Sequence, residues 1–232
     1  MGQHVVAVVS GGLDSVTLAY HLADAGYGLT LISFDYGQRH NKEVNYASLC
    51  ASRLRAEHHI VDLRAITGLI DSSSLTSSDI DVPDGHYAED SMKMTVVPNR
   101  NAVMINIATA LAVSRGHDFV ATGVHGGDHY IYPDCRPEFI DSQAETLRLS
   151  NKGFISEHFD ILAPFVNLPK DGIVAMGEKL RVPWVETWSC YKGGEVHCGS
   201  CGTCFERREA FVLAGVEDPT VYATTPTFSD PR

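Results

Sequence analysis

A short apolar run that ends in two glycines and passes straight into a helix constrains this chain more than any other feature. Residues 4–9 read HVVAVV, apolar and mostly β-branched after His4, which predicts a buried strand. SGGLDS follows at 10–15, and from Asp14 onward Val16, Leu18, Ala19 and Leu22 fall at helical spacing until Gly26. A strand that turns on Gly11 and Gly12 into a helix start offers unpaired backbone N–H groups and the positive end of the helix dipole, which suits phosphate. Ser10 and Ser15 add hydroxyls. Two roles fit Asp14: a Mg²⁺ ligand beside the phosphates, or the cap of the helix. Neither GxxxxGK[ST] nor GxGxxG occurs, so the loop is not one of the two commonest nucleotide loops.

The alternation continues downstream. Strands are predicted over 29–34, 57–61 and 118–122, and helices over 41–54 and 101–114. The early strands are apolar on both faces, as strands covered by helices on both sides must be. The fold class that follows is α/β, with a doubly wound, mainly parallel sheet. Residues 71–90 are rich in Ser and Asp without a period, and 123–137 are dense in Gly, His, Tyr and Asp. Both read as loops, the first a mobile one, leaving the C-terminal ends of strands, where such sheets bind ligands. No internal repeat is visible. Beyond Pro183 the alternation fades, and a last helix is predicted over 205–214. The expected organisation is an α/β nucleotide-binding domain over 1–182, with a small cysteine-bearing segment, 183–232, packed on it.

With 232 residues, 44% of them hydrophobic, the chain can bury a full core. No run approaches the roughly 18 apolar residues that span a bilayer. The segment before Ser10 is neither basic nor long enough for a signal peptide, so a cytoplasmic location is expected. The net charge of −11, from 18 basic against 29 acidic residues, argues against a phosphate backbone as the partner and for a small substrate.

In a reducing compartment cysteines point to metal before disulfides. Cys190, Cys198, Cys201 and Cys204 form C-x7-C-x2-C-x2-C, with Gly199 and Gly202 between them. Four sulfurs at about 2.3 Å make a closed tetrahedral zinc site, structural because no position is left for water. An iron–sulfur cluster and redox chemistry are the competing readings. His197 is left out, since four thiols suffice. Cys50 reads as core. Cys135 lies in a polar loop, as packing or as a nucleophile.

The loop SGGLDS after an N-terminal strand resembles the PP-loop of the ATP pyrophosphatase superfamily. FVNLPKDGI at 165–173 is similar to a second element of that superfamily, whose lysine reaches the phosphates. The match falls on Lys170, with a solvated lysine at a helix start as the duller reading. The resemblance implies release of pyrophosphate from ATP, with nucleotide contacts from Val9, Ser10, Gly11, Gly12, Leu13, Asp14, Ser15, Val16, Thr17, Leu18 and Ala19. YGQRH at 36–40, VPNRN at 97–101, YPDCRPEF at 132–139 and ETWSCY at 186–191 narrow the match. In this order they are similar to the 7-cyano-7-deazaguanine synthases of queuosine biosynthesis, from Val5 to about Phe211.

That family implies adenylylation of 7-carboxy-7-deazaguanine by ATP, displacement of AMP by ammonia, and dehydration of the amide to a nitrile. It implies Asp14, Arg100 and Lys170 as catalytic residues, Mg²⁺ with the ATP, one structural zinc per chain and a homodimer. Arg39, Asp128, Asp134 and Arg136 are the expected substrate contacts, Asp134 accepting from the pyrimidine N–H groups and Arg136 meeting the carboxylate. Plainer readings stand beside these: Arg39 on a solvated helix start, Arg100 at a helix entrance, Asp134 and Arg136 as a surface ion pair. Apart from Asp128, the stretch 125–129 receives no role. A PP-loop tRNA-modifying enzyme, an ammonia-dependent amide synthase and a non-enzymatic nucleotide-binding zinc module are the alternatives.

Overall fold

Strand β1 (His4–Val8) is central because Val5, Val6 and Ala7 are fully buried and apolar toward both faces. In the computed structural model, which describes residues 2–38, 42–69, 72–76, 81–85 and 90–224, β1 belongs to a five-stranded sheet. The others are β2 (Gly28–Asp35), β3 (Glu57–Asp62), β4 (Phe119–Ala121) and β5 (Asp160–Leu162). Their order is β3-β2-β1-β4-β5, and every pairing is parallel.

Period-two alternation sends Val5, Ala7 and Val9 to one face and Val6 to the other. The first face packs on α1 (Leu13–Asp24), α2 (Lys42–Leu54), α5 (Lys170–Lys179) and α6 (Gly202–Ala214), through Leu18, Ala47, Ile173 and Phe211. The second packs on α3 (Arg100–Arg115) and α4 (Pro137–Ser150), through Ile105, Ala108, Ile140 and Ala144. The chain builds β1, β2 and β3 in one direction, then α3 returns it to β4 on the other side of β1. The reversal opens a crevice beyond the carboxyl ends of β1 and β4.

The strands and helices read from the sequence appear within a few residues of their expected bounds. Two elements do not appear in that reading at all, and α5 enters it only through the plainer account of Lys170 as a helix start. In α4 the buried residues Ile140, Ala144 and Leu147 are diluted by polar neighbours, and β5 is three residues whose strand character comes from pairing with β4. Part of the expected loop over 71–90 lies outside the described residues. Of the rest, Ser73, Ser74, Leu75 and Val82 are buried, so this stretch joins the packing. No helix among the described residues is long and apolar enough to cross a membrane.

Candidate active site

The loop after β1 is tied together by one hydroxyl. Ser15 Oγ accepts from the backbone N–H groups of Ser10 at 3.1 Å and Gly11 at 3.2 Å. Gly11 has φ +95°, and a Cβ there would lie 2.1 Å from the carbonyl oxygen of Glu43 and 2.8 Å from Ala47 N. Only glycine lets the start of α2 lean this closely on the loop. Gly12 is the N-cap of α1 and caps with no side chain, so Asp14 is in the first turn and is not the cap.

Asp14 instead enters a buried charged cluster. Its Oδ2 is 3.2 Å from Lys170 Nζ, and Lys170 lies 2.6 Å from Glu206 Oε2. Its Oδ1 is buried without a hydrogen-bonding partner, as a carboxylate oxygen reserved for a cation or a ligand donor would be. Burial pushes the Asp14 carboxyl up, but the Lys170 ammonium and His125 outweigh it and hold it below its ordinary value. Burial works against the Lys170 charge as well, yet Asp14 and Glu206 hold it well above the ordinary lysine range. Lys170 is thus a fixed cation at the first turn of α5.

His125, in the turn after β4, places Nε2 3.4 Å from Asp128 Oδ2 and 3.8 Å from Asp14 Oδ2. His125, Asp128 and Glu206 converge closely enough to suggest a second metal. The hydrogen bonds say otherwise. His125 Nδ1 accepts from Gly127 N at 3.2 Å, so the neutral ring carries its proton on Nε2 and donates toward the carboxylates. The ammonium of Lys170 already supplies the positive charge there.

One cavity joins this cluster to a second region. Ser10, Gly12, Asp14, Ser15, His125 and Lys170 line it, and so do Tyr36, Glu43, Arg100, Tyr132 and Tyr191. Arg100 opens α3 and sits 5.9 Å from the Tyr132 ring centroid. Burial raises Glu43 to about 7, against the pull of Arg100. Cys135 also lines the cavity, but burial, with Asp128 and Asp134 nearby, raises its thiol despite the Asn101 Nδ2 that donates to its sulfur at 3.3 Å, so it is no ready nucleophile.

The four tail cysteines converge: Cys190, Cys198, Cys201 and Cys204 place their sulfurs within 4.8 Å of one another. Tetrahedral bonds of about 2.3 Å put sulfurs about 3.8 Å apart, and Cys198 Sγ lies 3.8 Å from Cys204 Sγ. Backbone N–H groups of Ser200 and Cys201 donate to Cys198 Sγ at 3.4 Å and 3.3 Å, as they would to a thiolate. The cluster is consistent with a zinc site. His197 stays apart, its Nε2 accepting from Ser189 N at 3.1 Å and its ring packed on Trp188. Cys201 is the N-cap of α6 and Cys204 lies in its first turn, and the same helix carries Glu206 to Lys170. On the same helix the fully buried Arg207 donates to Thr187 Oγ1 at 2.8 Å and Trp184 O at 3.2 Å.

The expected site residues divide. Val9, Ser10, Gly12, Leu13, Asp14, Ser15, Asp128, Lys170 and Arg100 line the cavity. Val16, Leu18 and Ala19 do not; they are buried in the core under α1, and Thr17 Oγ1 is turned back onto Leu13 O. Gly11 acts through its close backbone contact. Asp134 departs from its expected role: its Oδ2 accepts from Asn101 N at 3.1 Å, serving the start of α3, whose N-cap Asn99 caps with no side chain. Arg136 is off the cavity wall as well, its Nε donating to His129 O at 2.9 Å. Nor do Asp134 and Arg136 form a surface ion pair with each other. Arg39 lies outside the described residues. Sequence reasoning missed Glu43, Glu206 and Arg207, whose partners are far away in the chain and which sit in no motif.

A parallel α/β sheet whose first strand turns through SGGLDS onto Asp14, with a buried lysine across the crevice, is the framework of a PP-loop enzyme acting on ATP. The profile of the family described as Queuosine biosynthesis protein QueC matches residues 4–215, and the chain belongs to that family. It is 56% identical over 217 residues to the 7-cyano-7-deazaguanine synthase of Rhizobium etli (strain CIAT 652), covering 94% of this chain and 91% of the relative. It is 55% identical over 218 residues to the protein of that name from Ruegeria pomeroyi, covering 94% of each. Among solved structures, NMN synthetase from Francisella tularensis superposes with a TM-score of 0.52 at 15% identity, over 96% of this chain and 80% of that one, which is a likeness of fold.

Proposed function

We propose that the cavity holds ATP at the Ser10–Ser15 end and the deazaguanine acid at the Arg100 end, and activates one by the other. The chain is a 7-cyano-7-deazaguanine synthase of queuosine biosynthesis, an ATP-dependent ligase. The observation that carries the division is the pair Asp14 and Lys170 beside the phosphate loop, in a cavity that three tyrosines and Arg100 also line.

A substrate carboxylate oxygen attacks the α-phosphorus and pyrophosphate leaves. Ammonia then attacks the acyl carbon, loses a proton and displaces AMP, leaving the amide. The amide oxygen attacks the α-phosphorus of a second ATP with loss of pyrophosphate, and loss of AMP and two protons leaves the nitrile. Lys170 and the loop N–H groups bind the phosphate charge, and burial of the cluster keeps them oriented before the ligand arrives. Asp14 Oδ1 is the group we assign to a Mg²⁺ that accompanies the ATP, because that oxygen is buried and unpartnered. Arg100, not Arg136, is the cation on the substrate side. Zinc, one per chain, is assigned a structural role at the four thiols. A homodimer is the expected assembly, to be read by light scattering.

Purified protein incubated with 7-carboxy-7-deazaguanine, ammonium and Mg-ATP is expected to give the nitrile, AMP and pyrophosphate by mass detection. ADP and phosphate without AMP would overturn the adenylylation.

A further inference from the structure

The cavity also holds an arrangement that the phosphate chemistry leaves unused. Glu43, in the first turn of α2, lines it together with Arg100. Among the described residues no hydrogen-bond donor meets the Glu43 carboxylate, and the Arg100 charge favours its ionised form against burial. A largely desolvated carboxylate without donors is costly to keep. Burial accordingly lifts its pKa to about 7, so near neutrality a fraction of it is protonated in the free protein. A ligand with two donors side by side would return it to the ionised form.

We propose that Glu43 and Arg100 together read the 2-aminopyrimidin-4-one edge of the substrate base. The inference rests on the functional reading above, which supplies a 7-deazaguanine as the ligand. That edge presents, in order, a carbonyl oxygen, a ring N–H and an amino group: one acceptor beside two donors. A guanidinium next to a carboxylate is its complement, the carboxylate accepting from the ring N–H and the amino group while Arg100 donates to the carbonyl oxygen. Tyr36, Tyr132 and Tyr191 line the same cavity and offer faces for a flat bicyclic ring. The opposite edge, bearing the carboxylate to be activated, then faces the phosphate loop. Asp134, the acceptor expected from sequence, is occupied at the start of α3 and absent from the cavity wall.

The test is calorimetric binding of 7-cyano-7-deazaguanine and its analogue lacking the 2-amino group, to wild type and Glu43→Gln, with ATP titrated in parallel. Wild type is expected to prefer the 2-amino compound by about 10- to 100-fold, the worth of hydrogen bonds to a charged group. Glu43→Gln is expected to lose that preference with ATP affinity within about threefold of wild type. An unchanged preference in Glu43→Gln overturns the assignment. If the variant fails to bind ATP, and so is misfolded, the wild-type comparison decides, joined by the 1-methyl compound: equal affinity for all three overturns it. Wild type that binds ATP but neither base overturns the functional reading itself, a different result from a base bound without regard to its amino group.

Discussion

At the scale of single residues, Gly11 and Glu43 make the sharpest predictions. Gly11 combines a backbone conformation that side chains rarely adopt with a neighbour 2.1 Å from where a Cβ would stand, and that neighbour is backbone and cannot rotate away. Gly11→Ala is therefore expected to cost more than the 1–3 kcal/mol typical of a strained φ alone and to abolish nucleotide binding. Thermal melting and ATP titration check both; a variant that binds ATP like wild type would refute the contact. Glu43 predicts a pH effect. Its folded-state pKa, about 7, exceeds its ordinary value of 4.5, so the folded protein holds that proton more tightly than the unfolded chain. Its contribution to stability is complete below about pH 4.5 and is lost as pH rises through about 7. Between these limits wild type is expected to lose stability relative to Glu43→Gln as pH rises. Melting curves whose difference is flat across that window would exclude it.

At the scale of elements, the four thiols and α6 form one unit, because the helix begins at the cluster. Purified protein is expected to carry about one zinc per chain, and Cys201→Ser to lower the melting temperature more than it slows any chemical step of the protein that remains folded. An iron–sulfur absorption band without zinc in anaerobic preparations would contradict this. What the sequence made legible at this scale was what is local. SGGLDS and the cysteine spacing declare themselves within a few residues, and β1, β2 and α3 carry long apolar periods. The structure also removes one of the two roles open to Asp14, since Gly12 occupies the cap. Glu206 illustrates the opposite case. Its partner Lys170 is 36 residues away, and a glutamate near the start of a helix carries no sign of which lysine it will meet. Asp134 and Arg136 make a related point: YPDCR is distinctive as a motif, but the motif does not say that these charged groups bond Asn101 N and His129 O.

At the scale of the whole molecule, the tail is part of the main core. Trp184, Ala210 and Phe211 share one apolar cluster with Val5 and Ala7 of the central strand, and Trp184 meets Phe211 edge-on with centroids 5.2 Å apart. Burying aromatic side chains of this size contributes roughly 1.5–3 kcal/mol each, a large share of an ordinary domain's net stability. A chain ending at residue 182 is therefore expected not to fold by itself, and the complete chain to melt in one cooperative transition. A soluble truncation with a sharp melt would refute this. The backbone contact of Gly11 with Glu43 has a consequence at the same scale. The loop that receives one ligand and the helix that receives the other are seated against each other with no side chain between them to absorb movement, so ordering either should lessen the cost of ordering the other. The two ligands are then expected to bind synergistically, each tightening the other, and a molecule of ATP that arrives alone should wait in the cavity uncleaved.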